Sequence, residues 1–166
     1  LTPDVKPLPV AGVFERVHLD LIGPFPETIS GNNYALVGVD AGTKFIVLEP
    51  LPDKSAETVS AALVKCLFLP YGFPDTIVTD QGREFVNALN RSLCANLGIT
   101  HRTTSPYHPA SNGQVERLNG VVKTVLRCIE EPDQSNWDVM LPYVAFAINT
   151  STSSGTRVSP FWLMYG

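Results

Sequence analysis

Basic residues are scarce in this sequence relative to acidic ones. Its 166 residues include 12 Lys and Arg against 16 Asp and Glu, which gives a formal net charge of -4. Non-specific affinity for nucleic acid comes from Lys and Arg side chains that neutralise phosphates. This balance excludes a domain that holds nucleic acid by electrostatics alone, so any action on DNA would need a metal ion, a local basic strip or flanking domains.

Cysteines and long apolar runs are scarce as well. The three cysteines lie far apart and form no Cys-x-x-Cys pair, which excludes a disulfide framework or a sulfur-rich zinc site and favours a reducing compartment. The apolar runs YALVGV and YVAFAI are much shorter than the roughly 18 residues of a membrane span. We therefore expect neither a membrane partner nor a zinc ion in these residues, and we see no targeting signal.

The chain has the length of a single domain. Apolar residues make up 44% of it, enough for one core. Residues 1–12 contain three prolines and no periodicity, which indicates an extended lead-in or linker. We expect the folded domain to occupy residues 13–166.

The first half of this domain is predicted to be mostly β. FERVHLDLIG, NYALVGVDAG and KFIVLEPL are β-rich runs, and the DAGT turn between the last two suits a hairpin, so the three predict an antiparallel meander. Val59, Leu63 and Leu67 then recur at helical spacing behind Ser55, a candidate N-cap, and YGFP is expected to end this helix.

The second half alternates between strands and helices. TIVTD at 76–80 and ITHRTT at 99–104 predict two more strands. An apolar stripe from Phe85 to Leu97, with Gly98 at the C-cap, predicts a helix between them. Further helices are predicted from Val115 to Ile129 and, behind Ser135, from Trp137 to Ile148. The order βββ-α-β-α-β-α-α indicates an α/β fold, a five-stranded mixed sheet flanked by helices.

Three acids stand out because of where this order places them. Asp20 interrupts an apolar strand, Asp80 closes the fourth strand, and Glu116 begins a helix after an irregular loop. Each has an ordinary explanation: most acids are solvated surface groups, Asp80 could cap a helix, and Glu116 could favour a helix N-terminus through the macrodipole. The 35 residues between Asp80 and Glu116 are weak evidence by themselves.

Together, the three acids suit metal-assisted phosphoryl transfer. A charge within VHLDLI would be desolvated unless something neutralises it, and a divalent cation is the strongest available compensation. Mg²⁺ prefers hard oxygen ligands, and three carboxylates can hold two ions for an in-line displacement. Asp40 is left outside this set because Lys44 is its expected salt-bridge partner, and His18 and His108 are interpreted as structural.

Longer motifs around these acids resemble a known family. Three features together resemble the D,D-35-E catalytic core of retroviral and retrotransposon integrases: Asp20, TDQGREF with Asp80, and SPYHPASNGQVERLNG with Glu116. Three stretches look most like the integrases of gypsy-type LTR elements, namely HLDLIGP near the start, HRTTSPYHPASNGQVERLN in the middle and SPFWLMYG at the end. The resemblance covers essentially the whole chain. It implies an RNase H-like fold with Asp20, Asp80 and Glu116 as catalytic ligands of two Mg²⁺ or Mn²⁺ ions.

The resemblance also implies a reaction and DNA contacts. Water first cuts the DNA end of the element, and the freed 3′-hydroxyl then attacks a target phosphodiester. Tyr107 and Pro109 match the loop that meets the reactive DNA end, where a tyrosine can stack on splayed bases. Asn119 and Lys123 lie one and two turns after Glu116, on the helical face where they can meet DNA.

The family's other features complete the expectation. The zinc-binding His-His-Cys-Cys domain and the basic C-terminal module of full-length integrases are not among these residues, so we expect a core that depends on flanking domains for full strand transfer. The implied partners are retroelement ends and target DNA, with a homodimer, tetramer or larger assembly on DNA. The implied location is nuclear, after a cytoplasmic phase within a Pol polyprotein or particle.

Two alternatives stay open. One is a related phosphoryl-transfer enzyme, a DDE transposase or an RNase H-type nuclease, although SPFWLMYG and HRTTSPYHP favour the integrase. The other is a domesticated DNA- or protein-binding module without catalysis, although all three carboxylates are present.

Overall fold

A computed structural model describes residues 11–80, 93–103, 117, 118, 120–122, 124, 125, 136–153 and 156–166. Its centre is a five-stranded sheet with the strand order β3-β2-β1-β4-β5. The first three strands form the predicted antiparallel meander, and β4 and β5 extend the sheet in parallel beside β1. The bounds are β1 Arg16–Ile22, β2 Tyr34–Asp40, β3 Ile46–Leu51, β4 Thr76–Thr79 and β5 Thr100–Thr103.

The first helix begins and ends where the sequence predicts. α1 (Ala56–Leu63) is capped by Ser55, whose hydroxyl accepts a hydrogen bond from the amide of Thr58 at 3.3 Å. Helical structure continues to Tyr71, within the predicted YGFP stop. The N-cap and the stop signal are therefore confirmed.

A π-helical turn, Val64–Phe68, follows α1 and was not predicted. Pro70 accounts for it, because a proline ring clashes with the carbonyl four residues earlier and offers that carbonyl no amide proton. In this turn the amide of Leu69 bonds to the carbonyl of Val64, five residues back, rather than to a carbonyl four residues back as in an α-helix. The wider turn lets the helix continue past the proline.

The second helix, α2 (Leu93–Leu97), ends at the predicted C-cap glycine. Gly98 has a φ of +71°, and the amide of Ile99 bonds to the carbonyl of Cys94 at 2.9 Å. This is the Schellman arrangement, in which the left-handed residue is most often glycine. The predicted start of this helix near Phe85 lies outside the described residues.

Two helices follow near the end of the chain. α3 (Trp137–Thr150) is confirmed, while its proposed cap, Ser135, lies outside the described residues. α4 (Pro160–Tyr165) was not predicted, although Ser159 accepts from the amide of Trp162 at 3.2 Å and gave a capping signal. Within the described residues, no helix is long and apolar enough to cross a membrane.

The two faces of the sheet bury separate apolar clusters. One face packs against α1 and α2, with Val17, Leu19, Leu36, Leu51, Val59, Leu63, Leu67, Ile77 and Ile99 at its core. The other packs against α3 and the helical residues 117–118, 120–122 and 124–125, with Ile22, Val37, Val39, Ile46, Leu48, Val122, Trp137, Leu141 and Val144 at its core. Helices thus cover the sheet on both sides, as predicted.

Asn149 attaches the end of α3 to the outer edge of β3. Its side-chain oxygen accepts from the amide of Ile46 at 2.8 Å, and its side-chain nitrogen donates to the carbonyl of Ile46 at 2.9 Å. Asn149 is 5% exposed, so these bonds lie in a dry environment. The amide side chain therefore occupies the place of a neighbouring strand and satisfies buried backbone groups.

Replacing Asn149 by Ala should destabilise the fold without changing its architecture. The substitution leaves two buried backbone groups without their partners, which we expect to cost roughly 2–4 kcal/mol. Urea unfolding followed by circular dichroism measures this difference. Thr150→Ala is the matched control, because Thr150 is exposed and bonds only within its own helix; equal stability of the two variants would contradict the anchoring role of Asn149.

Candidate active site

The parallel pairing of β1 with β4 sets the geometry of the candidate site. Arg16 is level with Thr76, Val17 with Ile77, and His18 with Val78. If this register is continued by two residues, beyond the last pair and past the end of β4, Asp20 is level with Asp80. The two acids that the sequence analysis singled out therefore lie at matching positions on neighbouring chain segments.

This place in the sheet is a point where two connections diverge. After β1 the chain turns to β2 on one side, and after β4 it leads to β5 on the other. Where connections diverge in an open α/β sheet, a crevice is left at the carboxyl ends of the strands, and ligands commonly bind there. Asp20 and Asp80 both lie at that edge.

The two acids differ in exposure. Asp20 is half-buried within β1, and its Oδ1 accepts a hydrogen bond from the amide of Leu21 at 2.8 Å. On the β2 side its neighbour is Val37. Asp80 is exposed and is the first residue after β4. One carboxylate is thus fixed inside the sheet, while the other meets solvent beside it.

The face that carries Asp20 is covered by the helical residues that follow position 116. Side chains alternate along a strand, so Asp20 shares a face with Ile22, which is 1% exposed in the second cluster. Val122 is fully buried in the same cluster, and Leu118 and Val125 pack against it. The predicted apolar stripe of this helix is therefore confirmed at the positions that are described.

The remaining predicted site residues cannot be placed by the structure. Those outside the described residues are Glu116, Tyr107, Pro109, Asn119 and Lys123, together with His108. Among the residues that are described, no group of three or more His, Cys, Asp or Glu side chains could hold a metal ion. Asp20 and Asp80 are both among the described residues, and the three-acid site stays a prediction.

Asp40 lies at the opposite end of the strands, level with Val17. It is 1% exposed, and its carboxylate accepts from the amide of Phe14 at 3.1 Å and from the amide and hydroxyl of Thr43 at 2.9 and 2.7 Å. Lys44, its expected salt-bridge partner, instead donates to the carbonyl of Ala41. Asp40 therefore organises the β2–β3 turn.

The loop between β1 and β2 is held by the first turn of α3. Trp137 donates its indole proton to the carbonyl of Pro26 at 2.7 Å. Asp138 accepts from the hydroxyl of Thr28 and from the side-chain nitrogen of Asn32, each at 2.8 Å. Burial alone would raise the pKa of Asp138, but these hydrogen bonds and one from its neighbour's amide lower it overall. In the sequence, this tryptophan indicates only the start of a helix, and no local pattern indicates its contact with the loop.

Comparisons with known proteins identify a family for this chain. A family model described as Integrase core domain matches residues 12–109. The chain belongs to the integrase core domain family. The resemblance given by its sequence motifs is therefore confirmed at the level of the family.

Several relatives are longer polyproteins or integrase-like proteins. The retrovirus-related Pol polyprotein from transposon 412 of Drosophila melanogaster is 35% identical over 153 residues, covering 92% of this chain and 12% of that protein. Gypsy retrotransposon integrase-like protein 1 of Bos taurus is 34% identical over 167 residues, covering 99% of this chain and 33% of that protein. This integrase core chain thus spans a third or less of the length of either relative.

Solved retroviral integrase cores share the fold. The HTLV-2 integrase catalytic core domain in complex with magnesium superposes with a TM-score of 0.67 at 19% identity, covering 93% of this chain and 98% of that one. The catalytic core domain of BIV integrase gives 0.69 at 19% identity, covering 91% and 93%. The fold is RNase H-like, as the sequence resemblance implied.

His18, two residues before Asp20, is buried and makes stability depend on pH. Burial, with the charges of Arg16 and Lys44, lowers its pKa to about 4 from the ordinary value of 6.5, although Asp40 raises it in part. As pH falls from 6.5 towards 4, the unfolded chain takes up a proton that the folded chain does not. This histidine therefore disfavours the folded state increasingly over that range.

Replacing His18 by Gln should reduce the acid sensitivity of the fold. Between neutral pH and a pH of about 4, we expect the free energy of unfolding of the wild type to fall by up to about 3 kcal/mol more than that of the variant. Urea unfolding in metal-free buffer at both pH values measures the two losses, and other titrating groups cancel in the difference. Equal losses would show that His18 titrates alike in the folded and unfolded chains.

Proposed function

We propose that this chain is the catalytic core of a DNA integrase, a metal-dependent polynucleotidyl transferase that processes 3′ ends of retroelement DNA and joins them to target DNA. The observation that carries this proposal is the parallel register of β1 and β4, observed as far as His18 and Val78, which brings Asp20 level with Asp80 at the carboxyl edge of the sheet when it is continued by two residues. Membership of the integrase core domain family supports a catalytic role for that pair of acids. Residues 13–166 are proposed as the core and residues 1–12 as its lead-in.

The donor set suits Mg²⁺ or Mn²⁺. Carboxylates are the hard oxygen ligands that these ions prefer, and an exposed acid beside a half-buried one leaves room for water and substrate oxygens. We propose Asp20, Asp80 and Glu116 as the ligands of two ions. When bound, such a pair of ions supplies an activated nucleophile and stabilises charge on the leaving oxygen of the phosphodiester. The HTLV-2 core, which shares this fold, is in complex with magnesium, and this supports the choice of ion.

The protein's own contribution is to hold these ligands still. β1 is paired with β2 along nearly its whole length, so the backbone of Asp20 is held by β2, and β4 holds the preceding residues of β1, Arg16 to His18. The amide of Leu21 further orients its carboxylate. Ligands fixed before substrate arrives avoid reorganisation during the reaction, which is where a rigid sheet contributes to rate.

DNA contacts and assembly form the second part of the proposal. Tyr107, Pro109, Asn119 and Lys123 are proposed to contact DNA. Exposed apolar side chains at 139, 143 and 146 recur on one side of α3 and support self-association, for which a dimer or larger assembly on DNA is proposed. The Pol polyprotein names of its relatives support synthesis as part of a polyprotein. Action in the nucleus is proposed from the family resemblance alone.

Divalent metal should stabilise the folded chain through Asp20 and Asp80. Free Mg²⁺ or Mn²⁺ at ten times its dissociation constant adds about 1.4 kcal/mol to a state that alone binds it. Thermal unfolding with increasing metal should therefore show a rising midpoint. The double variant Asp20→Asn with Asp80→Asn should show no rise.

The control for this experiment is Glu57→Gln, which removes one negative charge at an exposed position on α1. It should keep the wild-type response. A double variant that still responds to metal like the wild type would remove Asp20 and Asp80 from the binding site.

Substitutions of Glu116 and Tyr107 should have different effects on catalysis. Resolution of a branched DNA that mimics the integration product, supported by Mn²⁺, is a reaction that isolated cores of this family can often perform. Glu116→Gln should abolish it because a metal ligand is lost. Tyr107→Ala should leave some resolution and weaken handling of the DNA end by about 1–3 kcal/mol, the value of a base–aromatic stack.

Circular dichroism is the control that tests whether both variants are folded. Near-wild-type activity of Glu116→Gln would make this glutamate an ordinary helix-start acid and would contradict the catalytic role of the loop. A folded wild type that binds the branched DNA without resolving it would favour the non-catalytic, domesticated module.

A further inference from the structure

The residue immediately before Asp80 carries a buried hydroxyl. Thr79, the last residue of β4, is 2% exposed. Its Oγ1 lies 2.8 Å from Nε2 of His101 on β5 and donates to the carbonyl of Asp80 at 3.0 Å. One hydroxyl thus connects the neighbouring strand to the backbone of a proposed metal ligand.

The direction of these hydrogen bonds follows from the number of protons. A threonine hydroxyl has a single proton, and here it goes to the carbonyl of Asp80. With that assignment, the matching tautomer of His101 carries its proton on Nε2 and donates it to the hydroxyl. The result is a relay in which the histidine N–H donates to the hydroxyl and the hydroxyl donates to the carbonyl, an order in which each bond strengthens the next.

Strand geometry places this relay where the chain leaves the sheet. In the parallel register His101 is level with Ile77, so its ring reaches diagonally along the strands to Thr79. β5 is an edge strand, and His101 is its one half-buried residue, the others being exposed. Asp80 has already left the β4 ladder, so the hydroxyl constrains its peptide group at a point where strand pairing has ended.

We propose that Thr79 and His101 are positioning residues for Asp80, which hold its backbone so that its carboxylate faces the Asp20 side of the metal site. This inference rests on the proposed function, because it assigns the relay a purpose at the same site. In the sequence, TIVTD and ITHRTT predict only strands, and neither Thr79 nor His101 is a predicted site residue.

A purely structural role for the relay makes a different prediction. If the hydroxyl only ties the edge strand β5 to β4, its loss lowers stability and leaves the metal affinity of the folded protein unchanged. If it positions Asp80, affinity falls even in protein that is fully folded. Loss of a group that orients a metal ligand typically weakens metal affinity 10–100-fold.

Metal affinity of the folded chain decides between the two roles. The probe is Mn²⁺, with free ion counted by electron paramagnetic resonance well below the unfolding temperature of every variant. Thr79→Val keeps the shape of the side chain and removes the hydroxyl, and it should weaken binding about tenfold or more. Thr79→Ser restores the hydroxyl and should recover near-wild-type affinity.

Two further variants separate the histidine from a general effect on β5. His101→Leu removes the donor and should weaken Mn²⁺ binding in the same direction as Thr79→Val, while His101→Gln keeps a donor and should bind more tightly than His101→Leu. Thr103→Val is the matched control, since Thr103 is exposed on the same edge strand and is level with Thr79. It should bind Mn²⁺ like the wild type.

Unchanged affinity in Thr79→Val and His101→Leu, with only stability reduced, would overturn the proposal and leave the proposed function intact. Absence of Mn²⁺ binding by the wild type itself would overturn both. Loss of affinity in Asp80→Asn with none in the Thr79 and His101 variants would again reject only the positioning role.

Discussion

The parallel pairing of β1 with β4 is the constraint on which the rest of the molecule depends. It joins the antiparallel meander to the second half of the chain through three residue pairs, whereas six pairs join β1 to β2. A slip of one residue would turn every side chain of β4 to the opposite face, and a slip of two would separate Asp80 from Asp20 by about 6.6 Å. Both slips are opposed by Val17 and Ile77, which are fully buried and level with each other inside the first cluster.

The opposite face of the sheet gains its rigidity from α3, which is attached at both ends. Its first turn holds the β1–β2 loop through Trp137 and Asp138, and its last turn holds β3 through Asn149. Between these anchors it packs with Val122 and Ile22 in the second cluster. The helical residues that follow position 116 therefore rest on a framework fixed independently of them, which is the kind of support that a precise ligand geometry requires.

Local patterns predicted most of the elements, while the contacts between them could not be predicted from the sequence. Ser55, Gly98 and the β-rich runs act within a few residues, so capping and alternation identify them. The π-helical turn depends on a clash at Pro70, and α4 is too short for a periodic signal, so both were missed. The pairing of Thr79 with His101 depends on the register of β4 and β5, which joins residues far apart in sequence and has no local signature.

Asp20 and Asp40 show why an acid next to an apolar run has no single meaning. Both belong to strands of buried residues, and desolvation penalises the charge of each. Around Asp40 the penalty is offset by hydrogen bonds from Phe14 and Thr43, which occupy its oxygens and leave it a structural group of the β2–β3 turn. Asp20 lies at the other end of the strands, where the divergence of two connections opens the sheet edge beside an exposed second carboxylate. The end of the sheet that each acid occupies therefore sets its surroundings, because hydrogen-bond donors surround Asp40 and an exposed carboxylate, Asp80, lies at the end that carries Asp20.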